Sequence, residues 1–273
     1  MSARPPVQDL ARSVYLLWGH HPAPGRSGLS VPKIIVAGLE LADAEGLDAV
    51  SMRRVADHLG VGAMSLYRHV PGKDDLTALM VDAVHAEAYG DDVGAAADRD
   101  GWREALRHVA ARNWDLYLRH PWLLDVHATR PNLGPHTARK YEAELRALDG
   151  LGLSDVEMDT ALTLVLTHVA GSARTHRAAT RTETDSGMSD AEWWQAVTPA
   201  LTQVMTDPDL TVSARVGSTV GAEFNAASSP EHTYTWGLET LLDGLATRLP
   251  NRPRTATRAG PTADGAAPRI DRP

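Results

Sequence analysis

Residues 51–70 read SMRRVADHLGVGAMSLYRHV. Their side chains are of the kind that bonds a duplex. Ser65, Tyr67, Arg68 and His69 carry groups that bond phosphates or base edges, and Ala63 and Met64 offer apolar contact to thymine methyls. Arg53 can fork onto O6 and N7 of a guanine. Lys73 opens the following helix, where its charge opposes the helix dipole and a phosphate partner offsets that cost. From Ser51 to Lys73, Arg53, Arg54, Arg68 and Lys73 stand against Asp57 alone, a local +3 in a chain of net charge −8. Screening confines electrostatics to about 8 Å at physiological salt, so the local sign matters more than the total.

Those residues need two helices crossing at a tight turn. Ser51 is an N-cap for a helix to Leu59, and Gly60 supplies a turn residue that accepts positive φ. Ala56 is small where the helices approach, and Val55, Leu59, Val61 and Leu66 pack the second helix on the first. The second helix, about Ala63 to His69, then fits the major groove with its N-terminal residues at base edges. A helix over Pro32–Glu45 precedes the pair. Another starts near Lys73 with an apolar stripe of Leu76, Leu79, Met80, Ala83 and Val84 and ends near Gly90. Residues 1–28 read as an arm: a short amphipathic helix with Val7, Leu10, Val14, Leu17 and Trp18, then a Pro/Gly linker. The arm is expected to touch DNA or to pack on the head.

Residues 91–249 carry further helical patterns and no convincing strand, so the fold class is all-α, with a head at 29–90 and a larger body. Trp102, Leu106, Val109 and Asn113 mark one body helix, and Tyr141, Leu145 and Leu148 another. Ser154-Asp155-Val156-Glu157 and Ser189-Asp190-Ala191-Glu192 are capping boxes. The first opens a long helix expected to reach Ala179, with a polar mobile loop over 180–187. Pro199 is expected to kink or split the helix after the second box. Ser229-Pro230 starts a last helix to Leu249, and 250–273 is expected to be disordered. The stripe Met158, Ala161, Leu162, Val165, Leu166, Val169 is wider than one monomer core requires. With Gly171, Ser172 and Ala173 it suggests a helix face for a second subunit. Trp114, Tyr117, Tyr141 and His168 are candidate ligand-pocket residues of the body.

From Pro32 to Val84 the chain resembles the tetracycline-repressor (TetR) family, most densely over ADAEGLDAVSMRRVADHLGVGAMSLYRHVPGKDDL. The resemblance implies DNA contacts by Arg53, Ser65, Tyr67, His69 and Lys73. It also implies a homodimer joined through a four-helix bundle of the helices at about 155–179 and 230–249, placed on a pseudo-palindromic operator. Arg68, Ala63 and Met64 depart from the tetracycline repressor itself, so the operator sequence does not carry over. Residues 125–131, DVHATRP, resemble the segment that gives those repressors a His and a Thr at the drug site, so His127 and Thr129 join the ligand candidates. The implied function is a small-molecule-released repressor; from the residues themselves no cofactor and no metal is expected.

Other classes have little support in the residues. The chain has no cysteine, which removes disulfides, thiolate nucleophiles and cysteine-ligated metals. HExxH, GxSxG and P-loop patterns are absent, which speaks against an all-helical enzyme. His168 and His176, two turns apart, share a helix face but not a metal. No apolar run reaches the roughly 20 residues of a membrane helix. Val14–Trp18 is too short for a signal peptide, so a cytoplasmic protein without a membrane partner is expected. A DNA-binding regulator with no small-molecule effector remains the alternative.

Overall fold

The computed structural model describes residues 7–21, 28–92, 94, 96–97, 99–126 and 130–249, and no strand occurs among them. The head contains α1 (Val7–Leu17), α2 (Val31–Glu45), α3 (Met52–His58), α4 (Ala63–Tyr67) and α5 (Lys73–Tyr89). The body contains α6 (Trp102–Arg119), α7 (Pro135–Leu145), α8 (Asp155–Ser186), α9 (Asp190–Val204), α10 (Thr211–Phe224) and α11 (Pro230–Ala246). Short 3₁₀ turns at Leu47–Ala49, Pro121–Asp125 and Pro208–Leu210 join them. None of the described helices is long and apolar enough to cross a membrane.

Local chemistry sets the helix ends. Ser51 Oγ accepts the N–H of Arg54 at 3.2 Å. Both capping boxes form: Glu157 accepts the N–H of Ser154 at 2.8 Å, and Glu192 accepts that of Ser189 at 2.9 Å. Each such cap stabilises a helix start by about 1 kcal/mol. Gly60 turns the chain between α3 and α4 at φ 66°.

Two apolar cores hold the fold. Ile34, Val50, Val55, Leu66, Leu76 and Met80 are sealed in the head. Leu106, Val109, Leu148, Leu162, Val169 and Leu242 are sealed where α6, α8 and α11 pack. Sealing one such side chain contributes roughly 1.5–3 kcal/mol. The head core does not stop at residue 90. Leu116 and Trp122, from the body sequence, are buried in it.

Three expectations change. The polar stretch 180–186 is not a loop but the last two turns of α8, which ends at Gly187 with φ 64°. Nothing before Gly187 breaks the helix. Thr180 and Thr184 bond the carbonyls of His176 and Thr180, and Arg181 pairs with Asp185 at 3.5 Å. The stretch's polar side chains lie mostly on the exposed surface of a continuous helix. Pro199 does not split α9, which runs unbroken past it. The stripe on α8 belongs to the monomer: Leu162, Val165 and Val169 are buried in the body core, with Met158, Ala161 and Leu166 packed against it. Ser172 and Ala173 are buried as well, leaving Gly171 of that trio exposed.

Candidate nucleic-acid interface and ligand cavity

α3 and α4 pack through Val55, Ala56 and Leu66, all within 1% of complete burial, with Leu59, Val61 and Ala63 against them. That leaves Arg53, Met64, Tyr67 and Arg68 exposed, with Ser65 and Ala63 half-buried. Met64 at 75% exposure is an apolar side chain held in water at the start of α4. Lys73 is the first residue of α5, and its Nζ donates to the Leu47 carbonyl at 3.3 Å.

Two sequence readings need correction here. His69 does not face outward. It is 8% exposed, and its Nδ1 is buried without a partner. α4 ends at Tyr67, so His69 turns back over the head rather than continuing the outer face of the helix. Arg54 adds little to the local positive field, because its guanidinium grips Glu45 at 2.6 and 3.0 Å. That pair holds the Glu45 carboxyl below its ordinary range. The rest of the patch's positive charge is on Arg53, 3.9 Å from Asp57, on Arg68, and on Lys73.

A cavity of about 710 Å³ opens where head and body meet, within the range of small-molecule sites. One side is α5, through Lys73, Thr77, Ala78, Val81 and His85. Tyr117 on α6 and Tyr141 on α7 line it. His127 and Thr129 lie outside the described residues, while Val126, Arg130 and Pro131 on either side of them are in the lining. Trp114 and His168 sit elsewhere, in an aromatic cluster with Tyr234. Trp114 lies 4.5 Å from that ring, and the His168 Nε2–H donates to the Tyr234 carbonyl at 2.8 Å.

The inner wall holds polar residues that were not singled out from the sequence as ligand groups. Glu144, 1% exposed, accepts from Lys140 at 2.7 Å, from Asn113 at 2.6 Å and from Tyr89 at 3.3 Å. A buried ion pair leans on further hydrogen bonds, and here Asn113 and Tyr89 supply two to the same carboxylate oxygen that Lys140 bonds. Asn113 interrupts the apolar stripe of α6, a signal that could have marked it. Burial and the Lys140 charge push the His85 imidazole down to about 3. Burial and the Glu144 charge push the Tyr89 phenol up.

The body is tied to the head by side-chain bonds. The Trp122 indole N–H donates to Asp43 Oδ1 on α2 at 2.7 Å, and His120 lies 2.8 Å from the same oxygen. From α8, Arg177 donates to the Pro121 carbonyl at 2.9 Å and to Asp125 at 2.8 Å. The turn at 121–125 is thus held by α8 on one side and bonded to α2 on the other. The arm adds a second tie: Ser13 donates to Asp75 at 2.6 Å, and Trp18 donates to the Leu133 carbonyl at 2.9 Å.

The family model described as tetracyclin repressor-like, C-terminal domain, matches residues 95–249, and that of bacterial regulatory proteins, tetR family, matches 34–80. The chain belongs to the TetR family. It is similar to the transcriptional repressor DrrR1 of Streptomyces coeruleorubidus, 39% identical over 249 residues, covering 89% of this chain and 88% of that repressor. It is 30% identical to the repressor Rv1353c of Mycobacterium tuberculosis, across 89% of this chain and 91% of the relative. Among solved structures it resembles the TetR-family protein ActR of Streptomyces coelicolor in complex with actinorhodin. The TM-score is 0.65 at 25% identity, covering 84% of this chain and 99% of ActR. As a TetR-family protein the chain is a DNA-binding transcriptional regulator, with its helix-turn-helix in α3 and α4 and its helical body behind.

Proposed function

We propose that the protein is a homodimeric repressor that holds a pseudo-palindromic operator through Arg53, Ala63, Met64, Ser65, Tyr67, Arg68 and Lys73 and lets go when a small molecule fills the cavity. One observation carries this reading: α5 starts beside the recognition helix and also forms a wall of the cavity. A ligand shifts an equilibrium only by binding one arrangement better than the other. A molecule seated against Thr77, Ala78 and Val81 reaches α4 through the single rigid helix that carries them. ActR has been solved with actinorhodin and with (S)-DNPA, which supports an organic effector here. The cavity also favours this reading over a regulator without an effector.

The dimer rests on a different helix face from the α8 stripe. Val156 and Leu164 on α8 and Trp236 on α11 are 76%, 54% and 65% exposed. These exposed apolar groups on adjacent helices support a protein contact there, and Gly171, about two turns beyond Leu164 on α8, has nothing within 4 Å of where a Cβ would stand. A two-fold dimer sets two copies of α4 about one DNA turn apart.

Selection of random duplexes by the purified protein, retitrated across salt, tests the reading. An inverted-repeat consensus with half-sites about one turn apart is expected. Enrichment of an unrepeated site, or no enrichment, overturns it.

A further inference from the structure

If the cavity is the effector site, as proposed above, the polarity of its inner wall narrows the effector's chemistry. Thr137 fixes that polarity. Its hydroxyl lies 3.0 Å from Asp82 Oδ1 and 2.8 Å from His85 Nδ1, and it has one proton to give. A carboxylate oxygen only accepts. Asp82 already takes the backbone N–H of Thr137 at 2.9 Å, in the first turn of α7. The hydroxyl proton therefore goes to Asp82, and the hydroxyl oxygen accepts from the Nδ1–H of His85. The reverse assignment sets oxygen lone pairs against each other across 3.0 Å.

A neutral imidazole with its proton on Nδ1 carries a bare lone pair on Nε2. Among the described residues nothing donates to that nitrogen, nor is it sealed within the protein. His85 lines the cavity, so Nε2 is open to it as an acceptor. Burial and the Lys140 charge keep the ring neutral at physiological pH. Asn113 points the same way. Its amide nitrogen donates to the Val109 carbonyl at 2.9 Å and to Glu144 at 2.6 Å, and among the described residues no donor bonds its Oδ1, a second acceptor on a residue of the lining. Beside these two neutral acceptors the lining has the apolar Val81, Leu116 and Leu166, and its Lys140 and Glu144 charges pair with each other at 2.7 Å; hydroxyl donors on an apolar body match that set.

We propose that the effector is a largely apolar, uncharged molecule whose hydroxyl donates a hydrogen bond to Nε2 of His85. A ketone or an ether at that place brings a lone pair against a lone pair, and a carboxylate brings a charge as well.

Three matched probes test this: 1-hydroxypyrene, 1-methoxypyrene and pyrene-1-carboxylate, titrated by their fluorescence against the full-length protein. The hydroxyl compound is expected to bind at least about fivefold more tightly than the methyl ether, the worth of one neutral hydrogen bond, and more tightly than the carboxylate. His85→Phe should erase the preference of the alcohol over the ether. His85→Gln, whose amide oxygen can replace Nε2, should keep part of it. Equal binding of alcohol and ether, tightest binding of the carboxylate, or a preference that survives His85→Phe overturns the proposal but leaves the cavity as the effector site. Should His85→Phe not fold, the wild-type series and His85→Gln still decide. Ala78→Trp, which fills the cavity from α5, separates the two failures. If no probe binds in an Ala78→Trp-sensitive way, the cavity reading falls and the hydroxyl proposal falls with it.

Discussion

Replacing Asp43 by alanine removes the anchor that ties the body's 3₁₀ turn to α2. The Trp122 side chain is 1% exposed, and its indole N–H donates to Asp43 Oδ1 at 2.7 Å. A hydrogen bond to a charged acceptor contributes about 1.5–3 kcal/mol, and an orphaned buried donor costs about 1–3 kcal/mol. His120 loses the same oxygen but keeps Glu87 at 3.2 Å, so its share is smaller. Asp43 is itself 35% exposed, which moderates the charge contribution. Asp43→Ala should therefore lower stability by about 2–3 kcal/mol. The bond is isolated by a double-mutant cycle with Trp122→Phe, which removes the donor but keeps an aromatic ring. Urea unfolding of all four proteins at one protein concentration gives the coupling, since assembly makes stability concentration-dependent. A coupling of about 1–2 kcal/mol is expected. A value below about 0.5 kcal/mol would falsify the claim that this bond holds head to body.

Arg68→Ala should weaken specific operator binding by about 1–3 kcal/mol and relax one operator position; an unchanged sequence preference in repeated duplex selection removes Arg68 as a base reader. Lys73→Ala should weaken binding nearly uniformly and cut the salt slope by about one, and an unchanged slope assigns Lys73 to its Leu47 contact instead. The sign of His85 titration is also fixed. Its pKa is about 3 when folded and about 6.5 when unfolded, so the unfolded chain binds the extra proton between those values. Stability should fall as pH drops below about 6.5, by at most about 1.4 kcal/mol per unit. His85→Phe should flatten that part of the profile, and identical acid profiles for the two proteins would show that His85 is not held neutral.

Most of the head was legible from the chain alone. Gly60, Ala56, the Ser51 cap and the apolar set Val55, Leu59, Val61, Leu66 specify two crossed helices through contacts a few residues apart, and local sequence records such contacts. His69 shows where that logic stops. Helical spacing puts it on the outer face, but α4 ends at Tyr67, so the spacing no longer applies two residues later. The α8 stripe shows the same limit on a larger scale. Its width was legible, but not whether a second subunit or α6 and α11 would cover it.

The sequence by itself determined the all-α class, the reading head and the helix starts. Each depends on periodicity, a turn glycine or a cap, interactions that close within one or two helical turns. The tertiary structure decided the cavity and its polarity. His85 meets Thr137 across 52 residues, Asn113 meets Glu144 across 31, and Trp122 meets Asp43 across 79. No local pattern fixes which of these distant groups meet. Only packing sets the donor against the acceptor, because burial makes an unpaired polar group costly and so selects the arrangement in which each finds a partner.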